Sequence, residues 1–179
     1  MSLIEGTVTS RPICAVVYGR GADLTVASIA VTDDPFDRLT PDLDDSATGV
    51  RVWLTSPAGA LVRVRKGTFL DLDVAMRITS TGELRSKFPS GTRLRFVLDF
   101  REAVGYNTSA RQLLASWGIE ERERIAKLTF VTPPSAVFRM GLATLMLGLH
   151  TTGIDCELVE TLTGHLTRRE LVPLRAGPV

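Results

Sequence analysis

The sequence predicts an α/β domain with a mixed sheet, a parallel βαβ core and helices mainly on one face. Three observations predict this fold class. Apolar residues alternate along 94–100, an apolar stripe with helical spacing follows over 108–117, and the strand and helix patterns then repeat as far as residue 159. Crossovers of this length make the connected strands parallel, and right-handed connections place both helices on the same face of the sheet.

The central strand and helix show the spacing of apolar residues that is typical of each element. Every second residue of the strand is large and apolar: Leu94, Phe96, Leu98 and Phe100. The helix repeats its apolar residues at helical spacing: Ala110, Leu113, Leu114 and Trp117. Short polar residues at the helix mouth can cap backbone N–H groups, and Gly118 is the predicted stop.

The other elements follow from similar patterns. Residues 50–55 and 61–69 are strand candidates on either side of Ser56-Pro57-Ala58-Gly59, which predicts an antiparallel hairpin. Asp71 is expected to cap a helix that runs towards Phe88. The remaining predicted elements are a strand at 127–132, a helix at 136–149 capped by Ser135, and a strand at 154–159.

Residues 1–49 differ in character from residues 50–179. Two short strand candidates that suggest a β-hairpin come first, and an acidic, proline-containing segment with little to bury follows them. We therefore predict an N-terminal extension at 1–49, which serves as an extra hairpin, a dimer arm or an attachment. The α/β domain is predicted at 50–179, with a tail that frays from Thr163 onwards.

Composition and charge restrict the function classes. The 21 Lys and Arg residues against 20 Asp and Glu give a net charge of +1, so bulk electrostatics predicts neither a nucleic-acid nor a membrane-surface partner. The apolar run 140–149 is too short to span a membrane, and no signal peptide is expected. Cys14 and Cys156 are expected to be free thiols in a reducing cytoplasm. Together with His150 and His165 they have no spacing typical of a metal site.

Two features have more than one interpretation. Arg51, Arg63, Arg65 and Lys66 make the hairpin basic, which favours a solvated sheet face or edge over an anion site. The helix at 136–149 is apolar on more than one face. This pattern favours deep burial over a dimer or partner surface.

The central stretch resembles the STAS, or SpoIIAA-like, domain of anti-anti-sigma factors. That family has a strand that ends in Asp, a short turn, and Asp-Ser-Ser-Gly at the start of a helix. Here Asp99 ends the strand, and Asn107-Thr108-Ser109-Ala110 stand at the start of the helix. The order of elements from about Val50 to Glu160 also fits the family, so the resemblance covers most of the chain outside residues 1–49.

The resemblance implies a non-catalytic regulatory domain of bacterial signalling, which acts in the cytoplasm by binding a protein partner such as a kinase or an anti-sigma-like regulator. In the members that act as switches, a partner kinase phosphorylates the second serine, and Ser109 matches that phospho-acceptor. Asn107 and Ala110 replace the acidic residue and the glycine of the motif, which keeps the helix cap and weakens the switch. The alternative is that these residues only cap the helix.

Further site residues follow from the same resemblance. Asp99, Asn107 and Thr108 would form the switch loop and helix cap. Arg101 and Arg111 are candidates to pair with a phosphate on the serine.

Two other functions stay open. The first is a lipid- or nucleotide-binding SpoIIAA-like module with an apolar pocket beneath helices 108–117 and 136–149. The second is an enzyme, for which Asp99 and Glu102 are the only acidic pair at the carboxyl end of a strand, the usual place for chemistry in α/β sheets. Neither acid has a His or Cys nearby in the sequence, so we predict no catalysis. We also predict no metal and no cofactor. A homodimer also stays open.

Overall fold

The computed structural model describes residues 34–56, 58–80, 86–162 and 172–173. The strands are β1 (Leu43–Asp45), β2 (Val50–Ser56), β3 (Gly59–Val64), β4 (Phe69–Leu70), β5 (Leu94–Asp99), β6 (Gly105–Tyr106), β7 (Ile125–Val131), β8 (Cys156–Val159) and β9 (Val172–Pro173). The helices are α1 (Leu72–Thr79), α2 (Thr108–Glu120) and α3 (Ala136–His150), and a 3-10 turn spans Pro35–Arg38.

The main sheet has the order β1-β2-β3-β5-β7-β8, and β9 pairs with β2. β2 and β3 form an antiparallel hairpin, whereas β3, β5, β7 and β8 are parallel. β4 and β6 form a separate two-stranded parallel ladder. The predicted mixed sheet, hairpin and parallel core are therefore confirmed.

The three predicted N-caps are present. The side chains of Asp71, Asn107 and Ser135 each accept a hydrogen bond from the backbone N–H three residues further on, at the start of α1, α2 and α3. Each cap satisfies one of the N–H groups that have no partner within the helix. Local sequence therefore fixes where all three helices begin.

All three helices contribute to one core on a single face of the sheet. Phe100, which is fully buried, lies at its centre. Its ring centroid is 6.5 Å from that of Phe130 and 6.1 Å from that of Phe138. These contacts join the ends of β5 and β7 to the first turn of α3.

A second apolar cluster lies on the opposite face of the sheet. It includes Trp53, Leu61 and Val97 from three adjacent strands, and Phe36 packs against it with its ring 5.9 Å from that of Trp53. The Trp53 indole N–H donates a hydrogen bond to the Leu39 carbonyl at 3.0 Å. The segment around the 3-10 turn therefore packs on the back of the sheet.

Residues 34–49, which the sequence assigned to the extension, pack on the domain. β1 pairs with β2 along three residues, and Phe36 is only 1% exposed. The buried Phe36 ring and the β1–β2 pairing together hold this segment on the domain, although most of its residues are polar. The hairpin predicted earlier in the extension lies outside the described residues. Of the tail that was predicted to fray from Thr163, only residues 172–173 are described, and they pair with β2 as β9.

Gly118 does not stop α2, which continues to Glu120. A Cβ atom added at Gly118 would lie 2.6 Å from Cδ2 of Leu149, so the glycine allows α2 to approach α3 closely. α1 ends at Thr79, well before the predicted limit near Phe88.

Candidate functional site

The amino end of α2 presents two hydroxyl residues to solvent. Asn107 is the N-cap, and its side-chain oxygen accepts a hydrogen bond from the Ala110 N–H at 2.7 Å. Thr108 and Ser109 follow as the first two helical residues, and both are exposed. The sequence motif is thus displayed at the surface, at the positive end of the helix dipole.

We predict that Asn107→Ala lowers the free energy of unfolding by about 1 kcal/mol, because the Ala110 N–H loses its partner. Urea unfolding with an unchanged m-value would measure this loss. Ser109→Ala is the matched control in the same turn, and a surface change of this kind should stay within about 0.5 kcal/mol. Equal losses in the two variants would contradict the assigned cap.

The loop before α2 is held by the small β4–β6 ladder. The Asn107 N–H donates to the Leu70 carbonyl at 3.0 Å, and the Val104 N–H donates to the Thr68 carbonyl at 3.0 Å. A Cβ atom on Gly105 would lie 2.7 Å from the Phe69 ring. The presentation of Ser109 therefore depends on the segment that leads into α1, as well as on its own helix.

Asp99 lies at the end of β5, but it does not cap α2. Its side chain is 1% exposed and is on the sheet face away from the three helices, beside Arg63 of β3. Arg63 Nε donates to Asp99 Oδ2 at 2.7 Å, and Arg101 Nε donates to Asp99 Oδ1 at 2.9 Å. The strand-end acid therefore belongs to a buried ion cluster on the back face.

Asp34 completes this cluster from the N-terminal segment. Its Oδ2 atom accepts hydrogen bonds from both Arg63 and Arg101, the latter at 2.9 Å. Arg63 also donates to Asp37 at 2.7 Å, nearer the surface. We call Asp34, Arg63, Asp99 and Arg101 the back-face ion cluster. It contains two guanidinium groups and two carboxylates, so its formal charges balance.

The pKa values of the cluster follow from burial and pairing. Burial raises the pKa of Asp34, but the Phe36 N–H and the two arginines outweigh this effect and hold its pKa below the ordinary value. Burial lowers the pKa values of Arg63 and Arg101, and the neighbouring aspartates more than compensate, so both are raised. All three groups are therefore held in their charged forms.

The sequence did not identify Arg63 and Asp34 as site residues. Arg63 was expected on a solvated face of the hairpin, yet the residue is 4% exposed. Asp34 was part of a segment with little to bury. The alternation of β3 does place Arg63 opposite to Val62 and Val64, but nothing local says that the back face is covered.

Neither predicted phosphate partner is positioned for Ser109. Arg101 is held by Asp99 and Asp34, as described above. Arg111 is partly buried and lies two positions after Ser109 on α2, a spacing at which helical side chains do not face each other. A phosphate on Ser109 would therefore have to find its cation elsewhere.

The two acidic residues considered for catalysis, Asp99 and Glu102, lie in different environments. Asp99 is buried in two ion pairs, whereas Glu102 is exposed. His150 lies in the last turn of α3, at the opposite end of that helix from Ser135. Among the described residues, no three His, Cys, Asp or Glu side chains are grouped so that they could hold a metal ion.

The space beneath α2 and α3 is small. A cleft lined by Tyr106, Leu114 and Phe138 has a cavity volume of about 10 Å³. This is room for about one water molecule. Tyr106 fills the gap, since its ring lies 5.1 Å from that of Phe138 and its hydroxyl reaches Gly141. A lipid or nucleotide would need this packing to open.

α3 exposes one apolar face. Val137, Met140 and Leu147 are 74%, 71% and 68% exposed, respectively. Deep burial, which the sequence favoured for all faces of this helix, is therefore wrong for this one, and a dimer or partner surface stays open. No helix in the described part of the chain is both long and apolar enough to cross a membrane.

Cys156 is a buried free thiol on β8, as predicted, whereas Cys14 lies outside the described residues. Burial, assisted by the charge of Asp155, raises the pKa of Cys156 to about 11. We predict that a thiol reagent at about pH 8, near the ordinary cysteine pKa, labels the unfolded chain much faster than the folded one. The measurement uses a Cys14→Ser background, and rapid labelling of the folded protein would contradict the prediction.

Fold and site together define an α/β domain with helices on one face of a mixed sheet and an exposed hydroxyl pair at one helix start. No family model matches the sequence, and no curated protein matches it. Among solved structures, the chain is similar to the crystal structure of an uncharacterized DUF3478 family protein with a SpoIIAA-like fold from Shewanella loihica PV-4. The two share 12% identity and a TM-score of 0.44, over 63% of this chain and 85% of the other.

Proposed function

We propose that this chain is a non-catalytic regulatory module that binds a protein partner through the amino end of α2, and that phosphorylation of Ser109 controls the binding. The observation that carries the proposal is the exposure of Thr108 and Ser109 directly after the Asn107 cap. The resemblance of this motif to the phosphorylated turn of anti-anti-sigma factors supports the choice of Ser109.

Helix chemistry supports a modification at this position. A phosphoserine adds about −1.5 to −2 units of charge and three strong hydrogen-bond acceptors. The first turn of a helix has free N–H groups and the positive end of the dipole, so it tolerates that charge. Phosphorylation would then change the sign of the surface while the fold stays intact.

The surroundings of Ser109 suit a protein partner. Val104, in the loop before α2, is 69% exposed. The first turns of α3 start near the same end, because Tyr106 packs on Phe138 and approaches Gly141, and they expose Val137 and Met140. Exposed apolar side chains beside a charged switch are typical of an interaction surface.

The ion pairs of Arg101 also favour recognition of the phosphate by a partner. Because Arg101 is held in the back-face ion cluster, a phosphate on Ser109 would face outward without that cation. The partner would supply the cation, or would be repelled if its own surface is acidic. In either case the phosphate acts between molecules.

The first test is intact-mass spectrometry with peptide mapping on protein purified from its native host. We expect a phosphate on Ser109, and the mapping must distinguish it from the adjacent Thr108. An unmodified Ser109 under several growth conditions would contradict control by phosphorylation and leave only the interaction proposal.

The second test compares how strongly Ser109 variants bind a partner protein, which is first isolated by cross-linking in the native host. Ser109→Asp and Ser109→Ala should differ in affinity, because one mimics the added charge and the other removes the hydroxyl. Ser116→Asp is the matched control, since Ser116 is exposed on the same face of α2 two turns further on. Equal effects of the two Asp variants would rule out a specific role for Ser109.

A further inference from the structure

A second recess lies beyond the carboxyl end of β3, separate from α2. It is bounded by two turns, residues 46–49 before β2 and residues 65–68 after β3, and by the start of α1, and its volume is about 410 Å³. The recess is shallow and open to solvent, so a ligand bound there would stay partly exposed. In open α/β sheets, ligands bind in crevices outside the carboxyl ends of the strands, which is where this recess lies. We call it the β3 cleft.

Two cations and three hydroxyls line the β3 cleft. The cations are Arg65 and Lys66, and the hydroxyl residues are Ser46, Thr48 and Thr68, of which Thr48 has its hydroxyl oxygen buried. The lining also includes the carboxylate of Asp71, which accepts the Val74 N–H as the N-cap of α1. Arg65 pairs with Asp44 at 2.6 Å, but both side chains are more than two-fifths exposed. An exposed pair of this kind contributes only about 0–1 kcal/mol, so an anion can compete for the arginine. Lys66 is exposed at the tip of its turn.

Glycines keep the two turns of the cleft tight. Gly49 and Gly67 have φ values of 73° and 82°, a region that other residues rarely adopt. A Cβ atom at Gly49 would lie 2.9 Å from Thr68 Oγ1, so the two turns approach each other here. The Gly67 N–H donates to the Glu102 carbonyl at 3.0 Å, which ties the second turn to the loop after β5.

An aromatic ring completes the lining. Phe69 is 49% exposed, and its ring covers Gly105 closely enough to leave no room there for a Cβ atom. Phe69 lines the β3 cleft together with the two cations. Cations and hydroxyls suit a phosphate group, and an exposed ring face suits a planar base.

We propose that the β3 cleft binds a nucleoside phosphate, with its phosphate at Arg65 and Lys66 and its base against Phe69. This proposal is independent of the one made for Ser109, since no residue of the β3 cleft lies on α2. Binding here would also act on the loop before α2, because Phe69 pairs with Gly105 in the β4–β6 ladder.

The test is an NMR titration of the full chain with adenosine monophosphate and, separately, with inorganic phosphate. We expect saturable shifts of the Gly49, Gly67 and Thr68 amides with both probes. The double variant Arg65→Ala, Lys66→Ala should weaken both by about tenfold or more, as expected for the loss of charge-assisted hydrogen bonds. Phe69→Leu should weaken only the nucleotide, by about fivefold or more, because stacking on a base is lost.

The matched control removes two other surface arginines. Arg122 and Arg124 lie in the turn before β7, at the amino end of the parallel strands and so at the opposite end of the sheet from the β3 cleft, and each is in an ion pair at the surface. Their double alanine variant should bind both probes as the parent does. Equal weakening in the two double variants, or no saturable shift with either probe, would overturn the site. Phosphate binding without any effect of Phe69→Leu on the nucleotide would overturn the assignment of a base-bearing ligand.

Discussion

Replacing Arg63 by methionine is expected to lower the free energy of unfolding by about 3–5 kcal/mol, because two buried carboxylates lose a shared partner. Asp34 and Asp99 are 5% and 1% exposed in their side chains, so water cannot replace the guanidinium. Urea unfolding monitored by the fluorescence of the two tryptophans would measure the change.

Arg65→Met is the matched control for this experiment. Arg65 follows β3 directly, and its pair with Asp44 is exposed on both sides. Its loss should cost at most about 1 kcal/mol. If Arg63→Met cost no more than Arg65→Met, the back-face ion cluster would not stabilise the fold.

Acid should weaken the same cluster. The pKa of Asp34 is lower in the folded chain than its ordinary value, so its pairing stabilises the fold fully above the unfolded pKa of about 3.9. That contribution is lost as the pH falls through the lower folded pKa. The stability of Asp34→Asn should therefore depend less on pH in this acidic range than that of the parent protein.

Gly141→Ala is expected to destabilise the protein by about 1–3 kcal/mol, although alanine favours helices, because the added methyl group overpacks the core. The Cβ atom would lie 1.7 Å from the Tyr106 hydroxyl and 2.3 Å from Cζ of the same ring. Tyr106 cannot move away freely, since its ring packs edge-on against Phe138. Thermal or urea unfolding would report the loss.

A second glycine of α3 provides the control. Gly148 is exposed, and a Cβ atom there would meet nothing within 4 Å. Gly148→Ala should therefore stabilise the protein by about 0.5–1 kcal/mol, through helix propensity alone. In the double variant Tyr106→Ala, Gly141→Ala, the ring that the new methyl group would meet is absent. Its destabilisation should therefore be smaller than the sum of the two single effects. Stabilisation by both single glycine variants would contradict the contact.

Residue spacing was enough to predict the strands of the parallel core and the helices between them. It missed the short strands β1, β4, β6 and β9, and the strand predicted at 61–69 ends at Val64. The alternation at 94–100 and the helical stripe at 108–117 predicted β5 and α2, and Asn107 and Ser135 marked the starts of their helices. These features depend on neighbours a few positions apart, so they can be read from the sequence. The predicted end of α2 at Gly118 was wrong. This glycine does not stop the helix but makes room for Leu149 of α3, which lies 31 positions further along the chain.

The candidate site was predicted only in part. Asn107, Thr108 and Ser109 form one local motif, and the structure places them together at the start of α2. Asp99 was grouped with them because it is near in sequence, yet its side chain faces the other side of the sheet. Arg63 and Asp99 are 36 positions apart and become neighbours only through the parallel pairing of β3 and β5.

Short-range periodicity and capping were enough to predict the order of the main strands and helices, the helix caps and the hydroxyl pair at the start of α2. The burial of Arg63, the contact of Asp34 with the domain and the exposed apolar face of α3 depend on tertiary packing and could not be predicted from local patterns. The physical reason is that burial depends on which segments cover a surface. That covering comes from residues such as Phe36, which are distant along the chain from the surface that they cover.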